Sequence, residues 1–169
     1  TSDNPNTGNR TITWVVFDGN DNSAGTTSTI TVTAVNDAPV VAGAGGTLAY
    51  TENAPATVID NTLTLTDVDD TNIESATVTI SAGNVPAEDV LSFTAAFGIT
   101  GTYTPATGIL ALSGTATLAQ YESVLESVAY QNTSDNPNTG NRTITWVVFD
   151  GTDNSAGTTS TITVAPVND

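Results

Sequence analysis

Residues Arg142–Val164 read "RTITWVVFDGTDNSAGTTSTITV", two apolar–polar alternations flanking a segment rich in Asp, Gly and Asn. Ile144, Trp146 and Val148 share one face of the first alternation; Ser160, Ile162 and Val164 share one face of the second. A period of two marks a strand with one buried face, and branched side chains fit a pleated surface. The residues between are turn formers. The stretch is therefore two strands of a half-buried sheet, with Trp146 anchoring the core.

Nearly the same words open the chain. Residues 1–37 return as 133–169 at an offset of 132, with three differences: Asn20 against Thr152, Thr33 against Ala165, and Ala34 against Pro166. Both copies end in "VND". The reading is one complete unit, 38–169, preceded by 1–37, the last two strands and linker of another. A long period with near-identity describes a tandem array of whole domains. No signal peptide opens the chain, so residue 1 is not expected to be the natural start.

The rest of the complete unit reads as short strands between turn residues: "TLAY" (47–50), "TLTLT" (62–66), "SATVTISA" (75–82), "LSF" (91–93), "ILAL" (109–112) and "SVAYQN" (127–132). One segment has the helical period instead. In "TLAQYESVLESV", Leu118, Tyr121, Val124 or Leu125, and Val128 recur every three to four positions, and Thr117 with Gln120 forms a capping-box pair. This predicts a helix of two or three turns plugging one end or side of the sheets, with Glu122 and Glu126 on its solvated face.

Thirteen Asp and five Glu stand against Arg10 and Arg142, for a net charge of −16, with no Lys, His or Cys. Nucleic acid and anionic membrane both require a basic face, so neither is expected as a partner. Disulfides and thiolate metal sites are excluded. Nucleophilic triads and transition-metal sites lack their usual residues, so the chain does not read as an enzyme. Glu88–Asp89 and Glu122 with Glu126 are the available carboxylate pairs, and the latter reads as solvated surface. No apolar run approaches the roughly 20 residues that span a bilayer, so no membrane insertion is expected.

The acids gather at strand ends: "VND" (35–37 and 167–169), "TEN" (51–53), "TDVDD" (66–70) and "FDG" (17–19 and 149–151). Asp67, Asp69 and Asp70 within four positions repel one another by roughly 1–4 kcal/mol per close pair. Asp and Asn are ordinary turn residues there, but a hard cation with six to eight oxygen ligands would relieve the repulsion. Calcium is the cofactor expected.

The order of these motifs, "VNDAP", "TEN", "DVDDTN", "TPATGIL", "VVFDGTDNSAGTTSTITV" and a second "VND", resembles the cadherin repeat over most of residues 35–169. The resemblance is greatest to the cadherin-like repeats of very large bacterial surface adhesins. "GILALSGTATLAQYESVLESVAYQN" is also similar to repeats of chondroitin sulphate proteoglycan type. The resemblance implies an all-β, cadherin- or immunoglobulin-like Greek-key sandwich of seven strands, to which the helical period adds one short helix, and calcium at the junctions between domains. By position it implies that Asn36, Asp37, Asp67, Asp69, Asn72 and Asp150 meet at the N-terminal junction. Glu52, Asn168 and Asp169 would form half of the C-terminal one. Asp18 is the counterpart of Asp150, and Asp70 is either a ligand or solvated. Where cadherins carry Asp-Arg-Glu, this chain has only Glu122. The linker is poorer in acids than the cadherin linker, which implies one or two ions per junction.

The function so implied is a calcium-stiffened extender of an extracellular or cell-surface adhesion protein, whose partners are neighbouring repeats. Two other readings stay open: a module recognising glycan or its own kind, and a filament or matrix subunit assembled by strand exchange. Residues 1–34, as a hairpin without its sheet, would expose an apolar face and unpaired edges, the raw material for such exchange.

Overall fold

The computed structural model describes residues 2–168. The chain divides into two compact units, Thr1–Asp37 and Ala38–Asp169. Unit 1 is a hairpin of β1 (Arg10–Trp14) and β2 (Thr26–Ile30), paired with Arg10 opposite Ile30 and Trp14 opposite Thr26.

Unit 2 is an all-β sandwich with one short helix. Its elements are β3 (Val40–Ala42), β4 (Thr47–Thr51), β5 (Thr57–Val58), β6 (Thr64–Thr66), β7 (Asn72–Ala82), β8 (Asp89–Ser92), β9 (Thr100–Thr104), β10 (Ile109–Thr117), α1 (Leu118–Leu125), β11 (Ala129–Asn132), β12 (Arg142–Phe149) and β13 (Thr158–Ala165). One sheet runs β4-β13-β12-β7-β10-β9; the other layer consists of β5-β11-β8 and the pair β3-β6. β7 and β12 are neighbours in the first sheet, while β8 and β11, which come between them in the chain, are neighbours in the second. That crossing is the Greek-key pattern. β4 and β13 lie parallel, Thr47 opposite Thr161 and Thr51 opposite Ala165.

Eleven strand segments replace the seven expected. Short β5 and β6 flank Asp60, which takes hydrogen bonds from Thr62 N–H (3.1 Å) and Thr62 Oγ1 (2.7 Å). β9 and β10 widen the first sheet beyond β7. In "TGTYT" there is no apolar alternation to announce β9, because Gly101 sits where a Cβ would collide with Leu112 and Phe93.

The alternation of β12 places Ile144, Trp146 and Val148 in the core, and that of β13 adds Ile162 and Val164. Tyr50 of β4 meets Tyr130 of β11 edge-on, ring centres 5.0 Å apart, tying the two layers together. α1 begins at Thr117, whose hydroxyl accepts from Gln120 N–H while the Gln120 side chain accepts from Thr117 N–H. Tyr121, Val124 and Leu125 bury its inner face. Glu122 departs from expectation. It is only partly solvated: its Oε2 accepts the Leu65 N–H at 2.9 Å and so docks α1 on β6.

Arg142, on the core-facing parity of β12, is a charged side chain that is fully buried. Its Nε donates to Asp89 Oδ1 and Oδ2 (3.1 and 3.2 Å), and its Nη2 donates to Oδ1 (3.0 Å). Its Nη1 donates to the Asn138 and Gly140 carbonyls, both at 2.5 Å. Asp89, also fully buried, accepts in addition from Tyr130 Oη (2.6 Å) and Val85 N–H (2.7 Å). A buried ion pair is tolerated only when its remaining hydrogen-bonding capacity is filled. Here it joins the two layers.

Candidate functional site

An acid with one buried carboxylate oxygen marks each end of unit 2. β6 pairs with β3 so that Thr66 lies opposite Val40. Asp67 therefore leaves the sheet beside Pro39, where the chain begins this unit. Its Oδ1 accepts the N–H groups of Asp69 (3.1 Å) and Asp70 (2.9 Å), which folds "DVDD" into a tight turn. Its Oδ2 is buried and has no hydrogen-bond partner among the described residues. Asp69 and Asp70 are partly buried, and Asn72 is exposed at the start of β7.

The antiparallel pairing of β12 with β7 sets Phe149 opposite Ser75, bringing Asp150 to the same end as Asn72. Asp150 is only 8% exposed, and its Oδ1 accepts from Thr152 N–H (2.6 Å) and Asp153 N–H (2.8 Å). Asp18 builds the same turn in unit 1, accepting from Asn20 and Asp21 N–H at 2.9 Å each. Those backbone donors, Asp21 first, hold the Asp18 carboxyl below the usual range. Asn36 and Asp37 close unit 1, the Asn36 amide donating to the Asp37 carbonyl at 3.2 Å.

At the other end, Glu52 follows directly on β4 and is 3% exposed. Its N–H donates to the Ala165 carbonyl (2.9 Å), and its Oε2 accepts the Val167 N–H (2.6 Å). The acid is thus clasped against the segment by which the chain leaves the sandwich. Its Oε1 is buried and unpartnered among the described residues. Asn168 is exposed beside it, and Asp169 lies outside the described residues.

Among the described residues, three buried side-chain polar atoms have no hydrogen-bond partner, and two of them are carboxylate oxygens at these two ends; the third is Asn84 Oδ1. A buried, unpaired charged oxygen costs well over 1 kcal/mol, so it suits a position that gains a partner from outside the unit. Oxygen ligands of this kind fit a hard cation such as Ca²⁺. Among the described residues, no three acidic side chains converge closely enough to enclose a metal by themselves. The structure places Asp67, Asp69, Asn72 and Asp150 towards one end of unit 2 and Glu52 at the other.

The Arg142–Asp89 pair escaped the sequence reading, which named Glu88–Asp89 only as an available carboxylate pair. The signal was present: Arg142 is the only cation of the complete unit and shares the parity of Ile144, Trp146 and Val148.

Comparison with known proteins adds one relative and no family. No family model matches the chain. Halomucin of Haloquadratum walsbyi is 34% identical over 139 residues, which is 77% of this chain. The chain spans about 2% of halomucin's length, so it is similar to one short portion of a far longer protein.

Proposed function

We propose that the chain is an extender of a long extracellular or cell-surface protein, built as a tandem array of cadherin-like sandwiches stiffened by calcium at their junctions. The observation that carries this reading is the pair of unpartnered, buried carboxylate oxygens, Asp67 Oδ2 and Glu52 Oε1, one where the chain starts unit 2 and one where it leaves. A domain whose needs were met internally would have no reason to leave one buried carboxylate oxygen unpartnered at each end. The near-identical 37-residue segments support the array, and similarity to a portion of halomucin, by name a mucin, supports an extracellular setting.

Asp67, Asp69, Asn72 and Asp150, with Asn36 and Asp37 of the linker, would hold the ion at the first junction. Glu52, Asn168 and Asp169 would contribute to the next. Bound calcium would neutralise the acids and fix each domain on its neighbour. Without such a tie, linked domains move relative to one another by default. The role is mechanical: to hold a distal module at a distance.

The test is thermal unfolding in excess EDTA and in millimolar Ca²⁺, with Mg²⁺ as control, on this chain and on two intact tandem units. Binding to the native state adds about 2.7 kcal/mol at a hundred times Kd. The expected result is a calcium-selective rise, larger in the tandem pair and abolished by D67A with D69A. No rise in either protein refutes the calcium site.

A further inference from the structure

The hairpin of unit 1 is a working copy of β12–β13 that lacks only its surroundings. Its register, Arg10 opposite Ile30 through Trp14 opposite Thr26, repeats that of Arg142 opposite Ile162 through Trp146 opposite Thr158. Trp14 Nε1 donates to Ser28 Oγ at 3.0 Å, as Trp146 does to Ser160 at 3.0 Å. Arg10 Nη1 donates to the Asn6 and Gly8 carbonyls at 2.7 and 2.6 Å, as Arg142 does to those of Asn138 and Gly140. The environments differ completely. Ile12, Trp14, Val16 and Ile30 are 36%, 57%, 70% and 46% exposed, whereas their counterparts Ile144, Trp146, Val148 and Ile162 are all 0% exposed. None of the three substitutions between the copies falls on this face.

Unit 2 shows what surrounds such a hairpin. β7 and β4 pair with its two edges, the layer of β3–β6 and β5–β11–β8 lies over its apolar face, and Asp89 receives the guanidinium. All of these covering groups lie within residues 38–132. We infer that the apolar face of the first hairpin is a docking surface for a scaffold with the chemistry of residues 38–132, supplied by a preceding repeat that this hairpin closes. Its lock is Arg10, which makes no ion pair among the described residues, entering a carboxylate placed as Asp89 is.

Stoichiometry selects this occupant over a second copy of the chain. A second copy's scaffold already holds β12–β13, so each hairpin docked there releases another with the same exposed face. No apolar area is gained, and the freedom of two molecules is lost. A scaffold without its own hairpin buries the whole face, and linkage in one chain supplies an effective concentration in the millimolar range. This inference shares the tandem array with the function proposed above but does not depend on its cation.

The test extends the chain at its N-terminus with a further copy of residues 38–132 and compares it with the unextended chain, in EDTA and in Ca²⁺. Residues 38–132 contain no Trp and the chain contains no Cys, so Trp14 emission and thiol labelling of V16C both read this face. Extension is expected to shift the Trp14 emission to the blue with native Val16 in place. It should also slow V16C labelling by about 100-fold or more, as for a core position. R10A should reverse both effects. Protection in both media, or in Ca²⁺ alone, supports the inference. Trp14 and V16C remaining open in the extended chain in both media overturns it. Concentration-dependent protection in the unextended chain overturns it too, because a second copy would then be the occupant.

Discussion

Replacing Arg142 by Met removes a cation from the core while keeping much of its volume, and the duplicated hairpin supplies an internal control. Met cannot donate, so Asp89 loses the Nε and Nη2 hydrogen bonds of 3.0–3.2 Å and the one positive charge facing it. It keeps Tyr130 Oη at 2.6 Å, Val85 N–H at 2.7 Å and Asn132 Nδ2 at 3.3 Å, which lessens the loss without neutralising the charge. Breaking one side of a buried ion pair costs about 3–5 kcal/mol; with three donors remaining, the lower half of that range is expected. In a domain of this size that lowers Tm by about 10 °C. R10M deletes the same side chain and the same two loop-carbonyl bonds at an exposed position, where about 0.5 kcal/mol is typical. Adding D89L to R142M should recover part of the loss, because a neutral pair leaves no buried charge. The assay is denaturant unfolding followed by tryptophan emission. If R142M costs no more than R10M, the ion pair does not hold the two layers together.

Three further outcomes are expected. Burial pushes the Asp60 carboxyl up, but hydrogen bonds from the Thr62 and Ser160 hydroxyls and the Thr62 and Gly46 amides outweigh it and hold the group below its usual value. The stability it contributes is therefore complete above the unfolded value of about 3.9 and lost as pH falls through the lower folded value, so the cost of D60N measured by urea midpoints should shrink from pH 7 to pH 3. E122A removes the acceptor of the Leu65 N–H and should cost about 1–3 kcal/mol by denaturant unfolding, with most of it restored in E122Q. Gly43 has φ +78°, and a Cβ there would strike the Thr62 carbonyl, so G43A should cost more than about 1 kcal/mol and lower Tm in a calorimetric scan.

Much of this fold was legible because the two strands of its last hairpin, β12 and β13, alternate strictly. β12 spans the same residues that the period of two delimits, and α1 carries both bonds of the capping box read from Thr117 and Gln120. β3 and β5, of three and two residues, are too short to show a period at all. The acids of the candidate site stood out by crowding, but their individual environments did not. Nothing in "TEN" distinguishes a buried Glu52 from a solvated one, because its burial comes from Ala165 and Val167, more than a hundred residues away. The Asp89 that meets Arg142 is likewise 53 residues distant, and local pattern carries no record of which carboxylate lies across the layers.

The parallel pairing of β4 with β13 sets how unit 2 bears a load. The chain enters the sandwich through β3, paired with β6, and reaches β4 next; β4 and β13, the last strand, run side by side over Thr47–Thr51 and Thr161–Ala165. Once β3 has parted from β6, tension applied at the two termini pulls β4 and β13 past each other along their length. Every hydrogen bond between them is then strained at once, in shear, instead of opening one after another like a zip. Rupture requires the whole ladder to fail together, so the lifetime under force follows a single high unfolding barrier. In unit 2 that parallel pairing is a clasp, closed along the strands it joins.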